Sequence, residues 1–343
     1  MRIENTIESK KAEKPLDQTI LDWYDHEQHD EEKTRLRKII ADKVLQDYID
    51  TQQKNTGTET IVKPETLTTL IDSLKLIEKL QKTSLDDGKT LDPKIEAVLI
   101  LSGPGLFLDE KKPADQYGDV TYRWLNRDRI LAGLAYARRI AAAKKNIERG
   151  GDPVQAHDLT DEDLEKYAPV IFYNGTAEEN RELEQVLDHW GKDGWDQSFA
   201  EEHPNVQHFP YPQHLPYPRS KIKIAEKPNA HTKAQMENLK GEVLEGGQLE
   251  GIRNISIAAT ILDFVRVGNY IQKVFNESEQ TSPKYLKFWA YPIRARRESA
   301  TNQSKADTIS KYILGELERL AHYLQQGHLA SKSCEFQNLT QSK

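Results

Sequence analysis

A chain of 343 residues with 48 Lys and Arg against 55 Asp and Glu has a formal charge of -7, which excludes the overall basic field of a protein drawn to nucleic acid or anionic lipid. A hydrophobic fraction of 37%, a charged fraction of 30% and a mean hydropathy of -0.76 describe a polar surface over a core concentrated in part of the chain. Cys334 is the only cysteine, so no intramolecular disulfide and no cysteine-based metal site can form.

The N-terminal segment lacks the apolar run of a signal peptide, and no stretch approaches the ~20 apolar residues of a membrane span. The expected location is the cytoplasm, a reading shared by an effector exported without a cleavable leader. Residues 1–92 read as a helical extension without evident chemistry. Leu36, Ile39, Ile40, Val44, Leu45 and Tyr48 recur at helical spacing, and after Pro64 the series Leu67, Leu70, Ile71, Leu74, Ile77 and Leu80 does the same. These helices are the expected surface for a protein partner.

The pattern changes at Ala97 to Leu101, a short apolar run ending in Ser102, Gly103, Pro104 and Gly105, which is the signature of a buried parallel strand. Four similar runs follow, ending at Asn174-Gly175, at Glu226, at Thr260 and near Tyr291. Helical patterns separate most of them: "RDRILAGLAYARRIAAAKK", "AEENRELEQVLDHW", "KAQMENLKGEVL" and "LDFVRVGNYIQKVF". This alternation predicts a Rossmann-like α/β domain over 93–295, with a parallel sheet and helices on both faces. "FAEEHPNVQHFPYPQHLPYPRS" interrupts it as a proline-rich loop, expected to cover the sheet edge. His203, His208 and His214 in that loop invite a metal reading, but metal sites need a converging geometry and a carboxylate or second-shell partner, and in so proline-rich a loop no metal site is expected. Beyond 296, Ile309, Ile313, Leu317 and Leu320 mark a helix that packs back on the core or on the N-terminal helices. The tail after Gln326 is expected to be mobile.

Open parallel sheets bind ligands outside the carboxyl ends of their strands, where helix N-termini present free N–H groups. Four groups of polar residues stand there: Ser102, Gly103 and Gly105; Asn174, Gly175, Thr176 and Asn180; Glu226, Asn229, His231 and Thr232; Thr260, Asp263 and Arg266. Local structure accounts for part of this. Thr176-Ala-Glu-Glu179 and Thr232-Lys-Ala-Gln235 both fit a capping box, and each threonine alone favours capping over ligand contact. Ser102-Gly-Pro-Gly105 suits close approach of a phosphate and an ordinary Pro-Gly turn equally, and it is neither a P-loop nor a dinucleotide fingerprint. His231, near Glu226, is the acid/base candidate, against the plainer reading of a surface histidine at a helix entry. Arg266, placed two turns into its helix, suits a salt bridge or an anionic ligand. Arg294 to Arg297 form a basic run that reads first as a solvated face. No GxSxG elbow, HExxH or kinase signature is present.

From about 95 to 293 the order of these corners resembles the SanA/YdcF-like family, bacterial α/β proteins named for a domain of unknown function. "AVLILSGPG" looks like the family's first strand and turn, and Arg129 is similar to the arginine opening its first helix. "VIFYNGTAEENRELEQVL", "IAEKPNAHTKAQMENLK" and "ISIAATILDFVR" resemble its later corners. His231 stands where the family has Asn, Ala234 and Gln235 replace Glu-Asn, and Phe264 replaces a histidine, while Arg266 remains. The resemblance implies a small anionic or nucleotide-like ligand at the strand ends, held by Ser102, Gly103, Gly105, Arg129, Asn174, Gly175, Thr176, Asn229, Thr232, Thr260, Asp263 and Arg266. If the protein is an enzyme, His231 and Glu226 serve hydrolysis or group transfer; no cofactor is implied. The departures support a second expectation, a non-catalytic interaction or regulatory protein with a degenerate pocket.

Overall fold

Runs that are apolar on both faces need shelter on both sides, and each of the five forms a strand of one parallel sheet. A computed structural model describes residues 91–101, 127–150, 153–188, 190–191, 194–195, 217–227, 231–260, 263–276, 286–293, 319–320 and 322–340, together with positions 69, 72, 73, 76, 79 and 80. In chain order the elements are β1 (Ala97–Leu101), α1 (Arg127–Arg149), α2 (Asp161–Tyr167), β2 (Val170–Asn174) and α3 (Ala177–Asp188). A short antiparallel pair follows, β3 (Trp190–Gly191) and β4 (Gly194–Trp195), and then β5 (Ile222–Ile224) and α4 (Thr232–Glu242). The chain continues through β6 (Asn254–Thr260), α5 (Phe264–Ile271), β7 (Lys287–Ile293) and α6 (Gln337–Thr340). Two ends differ from the sequence reading: β5 stops at Ile224 rather than Glu226, and β7 runs on to Ile293. The sequence reading also missed α2, although Thr160 and Asp163 form a full capping box at its start.

The strands lie in the order β5-β2-β1-β6-β7, all parallel. From β1 the chain steps outward to β2 and β5, then returns through α4 to place β6 on the other side of β1. This is a Rossmann-like arrangement with helices on both faces. Alternate residues divide the core into two layers. Val98, Ile100, Ile171 and Tyr173 pack with α1, α2 and α3, where Ile130, Leu134, Ala137, Leu164 and Leu183 are buried. Leu99, Leu101, Phe172, Ile255 and Ile257 pack with α4 and α5 through Met236, Leu239, Phe264, Val267 and Ile271. On the first face α1 approaches β1 so closely that a Cβ at Gly133 would lie 2.5 Å from Ile100 Cδ1.

The tail after Gln326, expected to be mobile, is packed. Leu329, Ala330, Cys334 and Phe336 are buried, and Phe336 meets Phe264 edge to face at 5.5 Å. Cys334 N donates to Gly268 O at 2.9 Å, and Asn269 Nδ2 donates to Ala330 O at 2.9 Å. Asn338 then behaves as a substitute strand beside β7, accepting from Ala290 N at 3.0 Å and donating to Ala290 O at 2.8 Å. These contacts join residues far apart in sequence, which is why no local periodicity announced them. Leu320 is fully buried in the same layer, as the helix reading required. From the N-terminal region, Leu80 enters this core and Thr69 Oγ1 donates to Ser331 O at 2.6 Å. The earlier helix lies outside the described residues, as does the proline-rich loop up to residue 216.

Both edges of the sheet are occupied by side chains. On β5, Ile222 O accepts from Arg219 Nη1 at 3.0 Å and Ile224 O from Gln248 Nε2 at 3.1 Å. Asn338 does the same on β7.

Candidate functional site

Strands β1 and β6 are neighbours, with Ile100 beside Ala258, yet the chain leaves them on opposite faces, towards α1 and towards α5. In open parallel sheets such a reversal marks the ligand-binding point at the carboxyl ends of the two strands, because no crossover covers the gap between them. Among the described residues, those nearest this point come from the start of α1 and the β6–α5 corner.

At that last corner Thr260 ends β6 opposite Ile293. Asp263 is the N-cap of α5: its carbonyl accepts from Arg266 N and Val267 N, both at 3.0 Å, and its carboxylate makes no capping bond. Arg266 is half-buried and lies in the first turn of α5, not two turns in, because the helix begins at Phe264. The corner therefore places a carboxylate and a guanidinium within one turn of a helix start. Arg129 lies in the first turn of α1, whose N-terminus faces the same edge. Ser102, Gly103, Gly105 and Asn229 lie outside the described residues.

The β2 corner is organised differently. Asn174, fully buried, donates from Nδ2 to Gln235 O at 3.0 Å, and Gln235 Nε2 donates to Asn174 O at 2.8 Å. Each amide thus satisfies the other's backbone across the seam between β2 and α4. Asn180 closes the neighbouring seam, accepting from Gly175 N at 2.9 Å and donating to Ala225 O at 2.9 Å. Buried amides need partners, and here the partners are backbone groups. Asn174 consequently serves the fold. Gln235 does not complete a capping box with Thr232: the N-cap is His231, extended at φ -129 and ψ 140 and without a side-chain cap bond, and Thr232 is the first helical residue. Thr176 does precede α3, with its carbonyl accepting from Asn180 N at 2.9 Å.

Glu226 and His231 are exposed. Glu226 borders an open cleft of about 400 Å³ along β5, together with Glu184, Arg219, Lys223 and Gln248. In the strand order that cleft is separated from β1 by β2, so Glu226 stands apart from the β1–β6 gap, whereas His231 opens α4, whose first turn reaches the end of β2 through Gln235.

Sequence reasoning passed over several buried polar groups. Ser256 Oγ donates to Tyr136 OH at 3.1 Å beneath a Tyr136–Tyr291 stack with centroids 3.8 Å apart, and burial raises the Tyr136 phenol far above its ordinary range. Arg138 Nη2 donates to Ala156 O at 2.7 Å. Lys144, on α1, is pushed down to about 8 by burial and then by the charge of Lys221, against a smaller opposing pull from Glu96. Among the described residues no group of three or more His, Cys, Asp or Glu side chains is placed to hold a metal, and no helix is long and apolar enough to cross a membrane. Comparison of the chain with protein-family models, with curated proteins and with solved structures gave no match.

Proposed function

We propose that the protein binds a small anionic or nucleotide-like molecule in the crevice between β1 and β6, in the manner expected of a cytoplasmic SanA/YdcF-like protein. The observation that carries this reading is the strand order, which reverses at β1 and β6 and brings the β6–α5 corner to the gap. Arg266 supplies positive charge to an anionic group, and the Asp263 carboxylate accepts from ligand hydroxyls. The first-turn N–H groups of α5 add partial positive charge. Turnover by hydrolysis or group transfer would need an acid or base at the gap. Glu226 borders the cleft along β5 and not the gap, so the binding reading comes first.

A thermal-shift screen against nucleoside phosphates, S-adenosylmethionine and sugar phosphates tests this. A ligand at ~100 times its Kd adds about 2.7 kcal/mol of stability. The shift should vanish in Arg266→Ala and change its ligand preference in Asp263→Asn; a shift untouched by both substitutions would move the site elsewhere.

A second reading, a non-catalytic interaction protein, is favoured by one observation: Asn174, Asn180 and Gln235 are all committed to backbone partners. It predicts a protein partner that co-purifies with the full chain and is lost on deletion of residues 1–60, which spares Thr69 and Leu80.

A further inference from the structure

The edge strand β5 leaves little of its outward backbone open. Ala225 N donates to Tyr173 O at 2.9 Å, so Lys223 and Ala225 turn their amides towards β2 while Ile222 and Ile224 turn theirs outward. The Ile222 N–H closes on Arg219 O, and the outward carbonyls are filled by the Arg219 and Gln248 side chains. Among the described residues the Ile224 N–H is left without an acceptor. Ile224 lines the cleft of about 400 Å³, a volume within the range of small-ligand pockets. Two cations, Arg219 and Lys223, and two carboxylates, Glu184 and Glu226, line the same hollow, and their charges sum to zero. Among the described residues none of the four is ion-paired with another. Glu184, Arg219 and Glu226 are exposed and Lys223 is half-buried. The cleft therefore gathers unpaired charge of both signs around one open backbone donor.

We propose that the β5 cleft binds a small dipolar molecule the size of a dipeptide, with a carboxylate and an ammonium joined by a short aliphatic frame. A peptide added as a full strand does not suit this edge, because strand addition needs the outward carbonyls that Arg219 and Gln248 already fill. One open N–H suits a carboxylate instead. The Ile224 N–H and the Lys223 ammonium donate to it, and the Arg219 N–H groups not spent on Ile222 O add charge. Glu184 and Glu226 accept from the ammonium, and Gln248, whose amide nitrogen is held by Ile224 O, keeps its Oε1 as a further acceptor. Ile222 and Ile224 supply the apolar lining. A simple anion would meet the two carboxylates and a simple cation the two basic groups, so the cleft selects for a molecule that carries both charges. Water screens contacts this exposed, and the affinity belongs in the millimolar range.

The test is titration of the full chain, followed by amide NMR, with alanyl-leucine and its three blocked forms. N-acetyl-alanyl-leucine keeps only the carboxylate, alanyl-leucinamide only the ammonium, and N-acetyl-alanyl-leucinamide neither. Alanyl-leucine should saturate with a millimolar Kd and move the Ile224 amide resonance, and each singly blocked form should bind about fivefold more weakly. Lys223→Gln should abolish the advantage given by the carboxylate and keep that given by the ammonium. Glu226→Gln should do the reverse, and Arg266→Ala, at the crevice, should change neither. Equal affinity for the four compounds, an absence of saturation, or preferences that survive both Lys223→Gln and Glu226→Gln would overturn the proposal.

Discussion

Lys144→Met removes an ammonium while keeping an unbranched apolar stem in its place. In the folded protein the amine is held at about 8, against an ordinary value of 10.5. At about 1.4 kcal/mol per tenfold in proton affinity, that difference corresponds to roughly 3 kcal/mol. Residual exposure of the side chain screens part of it, and an effect of about 1–2 kcal/mol is expected. Below pH 8 the lysine is protonated in both states and the folded protein bears the whole cost. Between about pH 8 and 10.5 the unfolded chain binds a proton that the folded chain has released, so the wild-type protein gains stability as pH rises through this window. Lys144→Met should therefore be the more stable protein at pH 7, and its advantage should shrink steadily towards pH 10.5. Lys221, which burial also lowers, is present in both proteins and largely cancels in the difference. Urea denaturation at pH 7, 8, 9 and 10 measures it. A gap of constant size across that range, or a wild type already the more stable at pH 7, would refute the reasoning.

The reciprocal amides should behave as a unit. Asn174→Ala and Gln235→Ala each leave a buried carbonyl without its donor and should cost about 1–3 kcal/mol, and the double variant should cost less than the sum when midpoints are compared. Gly268→Ala sets helix preference against space. A Cβ there would lie 1.9 Å from Ser333 Oγ, so a loss of about 1–2 kcal/mol is expected, with partial recovery in a Ser333→Ala background; a gain in melting temperature for the single substitution would contradict the close packing of the tail on α5.

Much of the architecture was legible because it is written locally. The runs around Val98, Phe172, Ile222, Ile257 and Trp289 each carry their own strand signal, and Thr176 sits before its helix where the capping pattern placed it. The strand order was not legible, since the same alternation of strand and helix is compatible with several orders. At the candidate site, sequence reasoning grouped Asn174 with Arg266 because both follow strands. It had no means of seeing that Gln235, 61 residues from Asn174, completes that amide's hydrogen bonding. The same limit hid the docking of Phe336 on Phe264 and of Asn338 on Ala290. Lys144 was overlooked for another reason: on a helix full of alanine and arginine, one more basic residue reads as surface until the strands beneath it are known.

The hydrogen bond from Thr69 to Ser331 spans 262 positions of chain, and it belongs to the same layer as Leu80, Phe264 and Phe336. Closing so wide a loop carries an entropic cost before any contact repays it, and folding slows as such distant pairings come to dominate. The two faces of the sheet should therefore mature at different times. Helices α1 to α3 cover a side formed mostly by the segment between β1 and β5, with β6 and β7 adding Ala258, Trp289 and Tyr291. The face bearing α4 and α5, with the corner that borders the crevice, waits for both remote ends of the fold to arrive.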